Sequence, residues 1–162
     1  MASSNYQPLD EYSKAWIFRH KDLPVSEADL ALIKPMTQTR AETLWSTFIS
    51  KEAPHYSYFT NSDWPEKRGV WQAAEAWQGD WESEEQAMPE ALSVFLSSWD
   101  ERLTVYMCYE NDHIIETQWA VFKRNWKNFL FIDDGPILMG RRQQKVVQFF
   151  DNGQYKMGIK PE

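Results

Sequence analysis

Leu103-Thr-Val-Tyr-Met-Cys-Tyr-Glu-Asn-Asp-His-Ile-Ile-Glu116 is the stretch on which the fold turns. Leu103, Val105, Met107 and Tyr109 alternate with a period of two, as in a strand with one face on a core. Asn111-Asp112 is a turn into a second strand, His113–Glu116. On the N-terminal side, Met88, Leu92, Phe95, Leu96 and Trp99 recur at helical spacing, with Pro89 where a first helical position tolerates it. On the C-terminal side, Trp119, Phe122, Trp126 and Phe129 predict a helix over roughly 117–127 that presents Lys123, Arg124 and Lys127 to solvent. Further strands are expected near 129–132, 136–139, 145–150 and 154–159, separated by the turns Asp133-Asp-Gly-Pro136 and Asp151-Asn-Gly153. In the last of them Tyr155, Met157 and Ile159 point inward.

Nearer the N-terminus, Lys14–Arg19 reads as a short strand or extended segment. Ser26 caps a short helix, with Asp29 at its third position and Val25 able to staple onto Leu30, and Pro35 ends it. A second helix is expected from a Thr39 cap with Glu42 in the capping box. Its apolar stripe is Ala41, Leu44, Trp45, Phe48 and Ile49. Residues 54–87 hold seven aromatics, with Val70 the only branched aliphatic. Val70, Ala74, Trp77 and Trp81 match helical spacing, so this segment reads as an aromatic-pinned excursion with one helix. The whole predicts a single α+β domain over 1–162, N-terminal helices packed on a mainly antiparallel C-terminal sheet.

Composition sets the outer limits. The chain has 162 residues, 43% hydrophobic and 25% charged, a globular balance with room for a substantial core. Its longest strongly apolar run, Phe129–Ile132, is far short of the roughly 20 residues that span a bilayer, so no membrane segment is expected. The first residues lack the basic and apolar segments of a secretory leader, and the lone Cys108 cannot form an internal disulfide. A cytoplasmic protein is the expectation. Net charge is −7, and residues 1–100 carry 8 basic against 16 acidic side chains. That balance disfavours nucleic acid and suits a protein partner of basic character.

Chemistry-bearing residues are sparse beside 9 Trp, 7 Tyr and 9 Phe. Cys108 lies inside a strand and reads as a buried structural thiol. His20, His55 and His113 have no companion at a recognised ligand spacing, so no metal site is expected. No Gly-rich phosphate loop or nucleophile elbow is present, and no cofactor is expected. Asp133 and Asp134 follow an apolar run, Glu116 closes another strand and His113 opens it; these four are the candidate catalytic residues, Asp134 the first to mutate. Neighbours at a strand end point to opposite sides, which hinders joint chelation by the aspartates. Trp64, Trp71, Trp77 and Trp81 are the candidate binding residues, able to line a groove for a peptide or a sugar. Lys123, Arg124, Lys127, Arg141, Arg142 and Lys145 form an anion-binding patch if helix 117–127 and the 139–145 loop are neighbours.

Several strings together resemble an uncharacterised gammaproteobacterial family, domain of unknown function 2947. They are Trp16-Ile-Phe-Arg-His-Lys-Asp-Leu-Pro24, Asp29-Leu-Ala-Leu-Ile-Lys-Pro35, Thr104-Val-Tyr-Met-Cys-Tyr109, Ile115-Glu-Thr-Gln-Trp119, Val121–Pro136 and Val146-Val-Gln-Phe149. The resemblance spans nearly the whole chain and implies a bacterial protein, but no activity, cofactor or catalytic residue. The functional expectation is a non-catalytic interaction or binding module that uses aromatic surface and acidic charge. Its rivals are a small hydrolase-like enzyme around Asp133, Asp134, Glu116 and His113, and a carbohydrate-binding module built on exposed tryptophans.

Overall fold

β3 (Thr104–Glu110) pairs on both sides, Met107 standing opposite Ile115 of β4 (His113–Gln118) and Leu138 of β5 (Ile137–Gly140). The computed structural model describes residues 5–161. From this centre the sheet grows outward through β6 (Lys145–Phe149) and β7 (Gln154–Ile159) to β2 (Trp71–Ala76) at one edge. The two-residue β1 (Lys34–Pro35) forms the other edge. All seven strands are antiparallel, in the order β1-β4-β3-β5-β6-β7-β2. The fold is α+β, with most strands in the C-terminal part.

Alternation along the strands divides the core in two. Val105, Met107, Tyr109, Leu138, Val147 and Met157 face one side. There they meet α4 (Glu90–Phe95), α5 (Trp119–Phe129) and the N-terminal segment around Ile17 and Phe18. Tyr106, Cys108, Ile114, Ile137, Met139 and Val146 face the other side, beneath α2 (Gln38–Phe48). The sheet is therefore the middle layer of three, which is why β3 is buried on both faces although its sequence signals only one.

Several expectations are corrected. Lys14–Arg19 is not extended: Ala15–Phe18 forms a 3₁₀ turn that seats Phe18 against Phe129, ring centroids 5.0 Å apart. Ser26 does cap α1 (Glu27–Leu30), accepting from the Asp29 amide. The α2 cap is Thr37, not Thr39, because Met36 is still held to the sheet by Ile114 and the chain turns at once into the helix. Phe48 is half exposed, off the stripe assigned to it. The helical spacing of Val70, Ala74, Trp77 and Trp81 is not realised. Residues 71–76 instead satisfy the free edge of β7, and the short α3 (Gln78–Glu82) follows. No strand spans 129–132: Phe129 completes the buried α5 stripe, and Tyr109 donates to its carbonyl at 2.8 Å.

Candidate functional site

A groove of about 680 Å³ lies between α2 and the sheet. Its floor follows from register. Tyr106 on β3 faces Glu116 on β4 and Met139 on β5, so three neighbouring strands present one row of side chains to α2. The helix answers with Arg40, Thr43, Leu44 and Thr47, spaced three and four apart and so on one face. Arg141 and Arg142 come from the loop after β5, and Lys160 from the chain just beyond β7.

Charge in this groove runs against that of the chain. Glu116 is the one acid among its lining residues, against Arg40, Arg141, Arg142 and Lys160. One Glu116 oxygen is already engaged, since the Tyr6 hydroxyl donates to it at 2.8 Å. Burial first, and then this bond to Glu116, push the Tyr6 phenol up to about 12. The Tyr106 phenol is raised too, chiefly by burial and then by Glu116, while Arg141 and Arg40 oppose the shift. Both guanidinium groups thus bear on one phenol. The Nε of Arg40 is enclosed and has no acceptor among the described residues, an unusual condition for a charged donor. Arg142 holds φ at 60°, the one described non-glycine residue in the left-handed region. Backbone strain of this kind concentrates at functional loops. Arginine forks with a nearby phenol suit recognition of an oxyanion.

The expected catalytic residues are not brought together. Glu116 opens onto the α2 groove, while His113, three residues earlier on the strand, faces the other side and meets Tyr12 edge-on. Asp134 accepts from Tyr56 at 3.2 Å and approaches His55. Asp133 turns instead into a shallow cleft of about 260 Å³ beside Trp77 and Trp81, where burial foremost raises its carboxyl. At the β3–β4 turn, Glu110, Asp112 and His113 offer ligand atoms within 4.8 Å of one another, the described cluster that could hold a cation.

The four candidate tryptophans fall into two pairs. Trp64 and Trp71 lie against each other at 6.1 Å, and Lys156 covers the Trp71 ring at 4.9 Å. Trp77 and Trp81 line the Asp133 cleft. Every one of these indole N–H groups is taken by a backbone carbonyl: Trp64 by Phe48, Trp71 by Pro65, Trp77 by Phe150 and Gln154, Trp81 by Lys127. The basic group separates as well. Lys127, expected in solvent, is buried with its ammonium on the Ser83 carbonyl; Arg124 pairs with Asp29, Lys123 with Glu101, and Lys145 caps the Phe95 carbonyl. Arg141 and Arg142 remain, and the fold joins them to Arg40 and Lys160.

Arg40, Lys160, Tyr6 and Tyr106 are the site residues that sequence reasoning missed. A signal did exist for Arg40, which sits four residues before Leu44 on the apolar face of its helix, an odd place for a cation. Nothing in the local sequence marks Lys160 or Tyr6.

A family model described as "Protein of unknown function (DUF2947)" matches residues 6–158, and the chain belongs to that family. No curated protein and no solved structure matches it.

Proposed function

We propose that this member of the DUF2947 family is a non-catalytic binding protein of the cytoplasm that holds an anionic ligand in the groove between α2 and the sheet. The observation that carries the reading is that Arg40, Arg141 and Arg142 line one cavity of ligand size with Tyr106, the Arg40 Nε having no acceptor among the described residues. Cations enclosed by low-dielectric walls attract anions more strongly than the same charges on an open surface. A lone buried thiol is compatible with the cytoplasmic setting, and among the described residues no helix is long and apolar enough to cross a membrane.

The test is thermal unfolding at low ionic strength with inorganic phosphate or citrate, and with glucose as a neutral control. Both anions raise the melting temperature of the wild type, glucose does not, and Arg40→Gln with Arg141→Gln abolishes the rise. An equal response in the double variant ends the proposal.

A basic protein partner is supported at a second place. Trp81 and Phe131 with Asp133 and Asp151 line the smaller cleft, an aromatic wall beside two carboxylates that have no salt bridge among the described residues. A lysine-rich peptide binds there and loses affinity when both aspartates become asparagine. Unchanged affinity in that variant removes this reading.

A further inference from the structure

We infer that the chain forms a two-fold dimer in which the β2 edge of one copy pairs antiparallel with the β2 edge of a second. The two edges of the sheet differ. β1 has only Lys34 and Pro35, so its length, its charge and the missing proline amide all discourage a further strand. β2 has six residues, contains neither lysine nor proline, and is exposed from Gln72 to Ala76. Its register shift, between Trp71 and Ala73, lies at its start and leaves 73–76 regular. Backbone parity shows which groups are unused. The Trp77 amide donates to the Gly153 carbonyl and Glu75 stands opposite Tyr155, so Ala73, Glu75 and Trp77 turn their backbone toward β7. Ala74 and Ala76 turn theirs outward, where no described strand meets them.

Charge selects the occupant and the register. Just before β2 stand Lys67 and Arg68, with Glu66 the one acid beside them, whereas residues 71–85 hold five acidic side chains and no basic one. Lys67, Arg68, Glu75, Asp80 and Glu82 are all exposed, and none has a salt bridge among the described residues. Antiparallel pairing of two copies sets the basic lead of each against the acidic tail of the other. A uniformly basic strand would meet Lys67 and Arg68, and a uniformly acidic one the tail. Because an antiparallel ladder alternates its bonded and non-bonded pairs, a two-fold axis must place one residue opposite itself. Centring on Glu75 would oppose two carboxylates; centring on Ala74 sets Glu75 opposite Ala73 and bonds the outward Ala74 backbones to each other. Arg68 and Asp80 then stand at equal distances in sequence on either side of the axis.

The experiment is size exclusion with light scattering on the full chain over a range of concentrations. The expected mass is twice the 19.2 kDa of one chain. Ala74→Pro keeps the fold, because that amide faces away from β7, and halves the mass. Arg68→Glu raises the dissociation constant about tenfold, the scale of two exposed ion pairs, and adding Asp80→Arg restores it. A wild type that stays at the mass of one chain overturns the inference, even if another protein's strand is then found on the edge. So does a folded Ala74→Pro variant that keeps the double mass. Should Ala74→Pro not fold, Ala74→Cys under a mild oxidant decides. It is expected to cross-link two chains, Cys108 being buried, while Ala76→Cys, about 13 Å from its counterpart at 3.3 Å per residue, does not. Absence of the Ala74→Cys cross-link overturns the pairing.

Discussion

The Arg124 guanidinium closes as a fork on the Asp29 carboxylate, with Nη2 donating to Oδ1 at 2.7 Å and Nε to Oδ2 at 3.1 Å. Asn125 adds a third bond to Asp29 at 2.9 Å, from the point in α5 where the backbone leaves helical geometry. A helix of four residues has no stability of its own, so this junction is what docks α1 onto α5.

Asp29→Asn removes the charge from that junction and is expected to destabilise the fold by about 2 kcal/mol, read from urea unfolding. The pH dependence has a definite sign. The Arg124 bond, foremost, holds the Asp29 carboxyl below its usual range, with burial opposing it. As pH falls, the unfolded chain takes up the proton first. The contribution is complete above the ordinary carboxylate value of about 4 and fades as pH drops through the depressed folded value. The stability gap between wild type and variant should hold from neutral pH to about pH 5 and close below it. A gap independent of acid contradicts this account.

Trp77→Phe keeps most of the ring and deletes one donor that serves the Phe150 and Gln154 carbonyls, at 3.2 and 3.0 Å. The Phe150 carbonyl keeps the Gly153 amide and the Gln154 carbonyl keeps the Phe150 amide, so neither acceptor is orphaned and a loss of about 0.5–1.5 kcal/mol is expected from removing the buried indole's bonds. Trp16→Phe, at a site 51% exposed, serves as the control and should cost little.

Cys108 is fully buried between the sheet and α2, and burial raises its thiol well above the usual value. The native protein should not react with a thiol reagent such as Ellman's, and one equivalent should appear on denaturation. Rapid labelling of the folded chain contradicts the packing described for this face.

Gly135→Ala tests the loop between α5 and β5. Gly135 has φ at +79°, and a Cβ there would run into the Tyr56 ring. Backbone strain and steric overlap act together, so a loss of more than about 1 kcal/mol is expected, with the Tyr56–Asp134 contact displaced. Gly69→Ala, with φ at +88° but no atom within reach of its Cβ, should show the backbone share alone.

What could be read early was local. The period-two run through Met107 and the period-3.6 run through Trp126 are set by which side chains must leave water on one face. That requirement is written along the chain itself. The failures were places where a distant partner decided. The 71–76 segment has a helical pattern but becomes a strand because the edge of β7 offers unpaired backbone groups. Lys127 looks like a solvent residue until Ser83, 44 positions away, supplies its acceptor.

The candidate site followed the same division. Glu116, Arg141 and Arg142 could be named in advance as chemistry-bearing residues, the two arginines in one patch but without Glu116 as their neighbour. Their meeting with Arg40, Tyr6 and Lys160 depends on strand register and on α2 covering the second face of the sheet. Sequence alone determined the class of fold and the helix and strand faces around residues 88–126, because periodicity and composition are properties of the chain taken in order; the family came from the resemblance of particular strings. Only the tertiary structure decided where positive charge gathers in an acidic protein. Side chains from positions 6 to 160 become neighbours there through backbone pairing, which no single segment encodes.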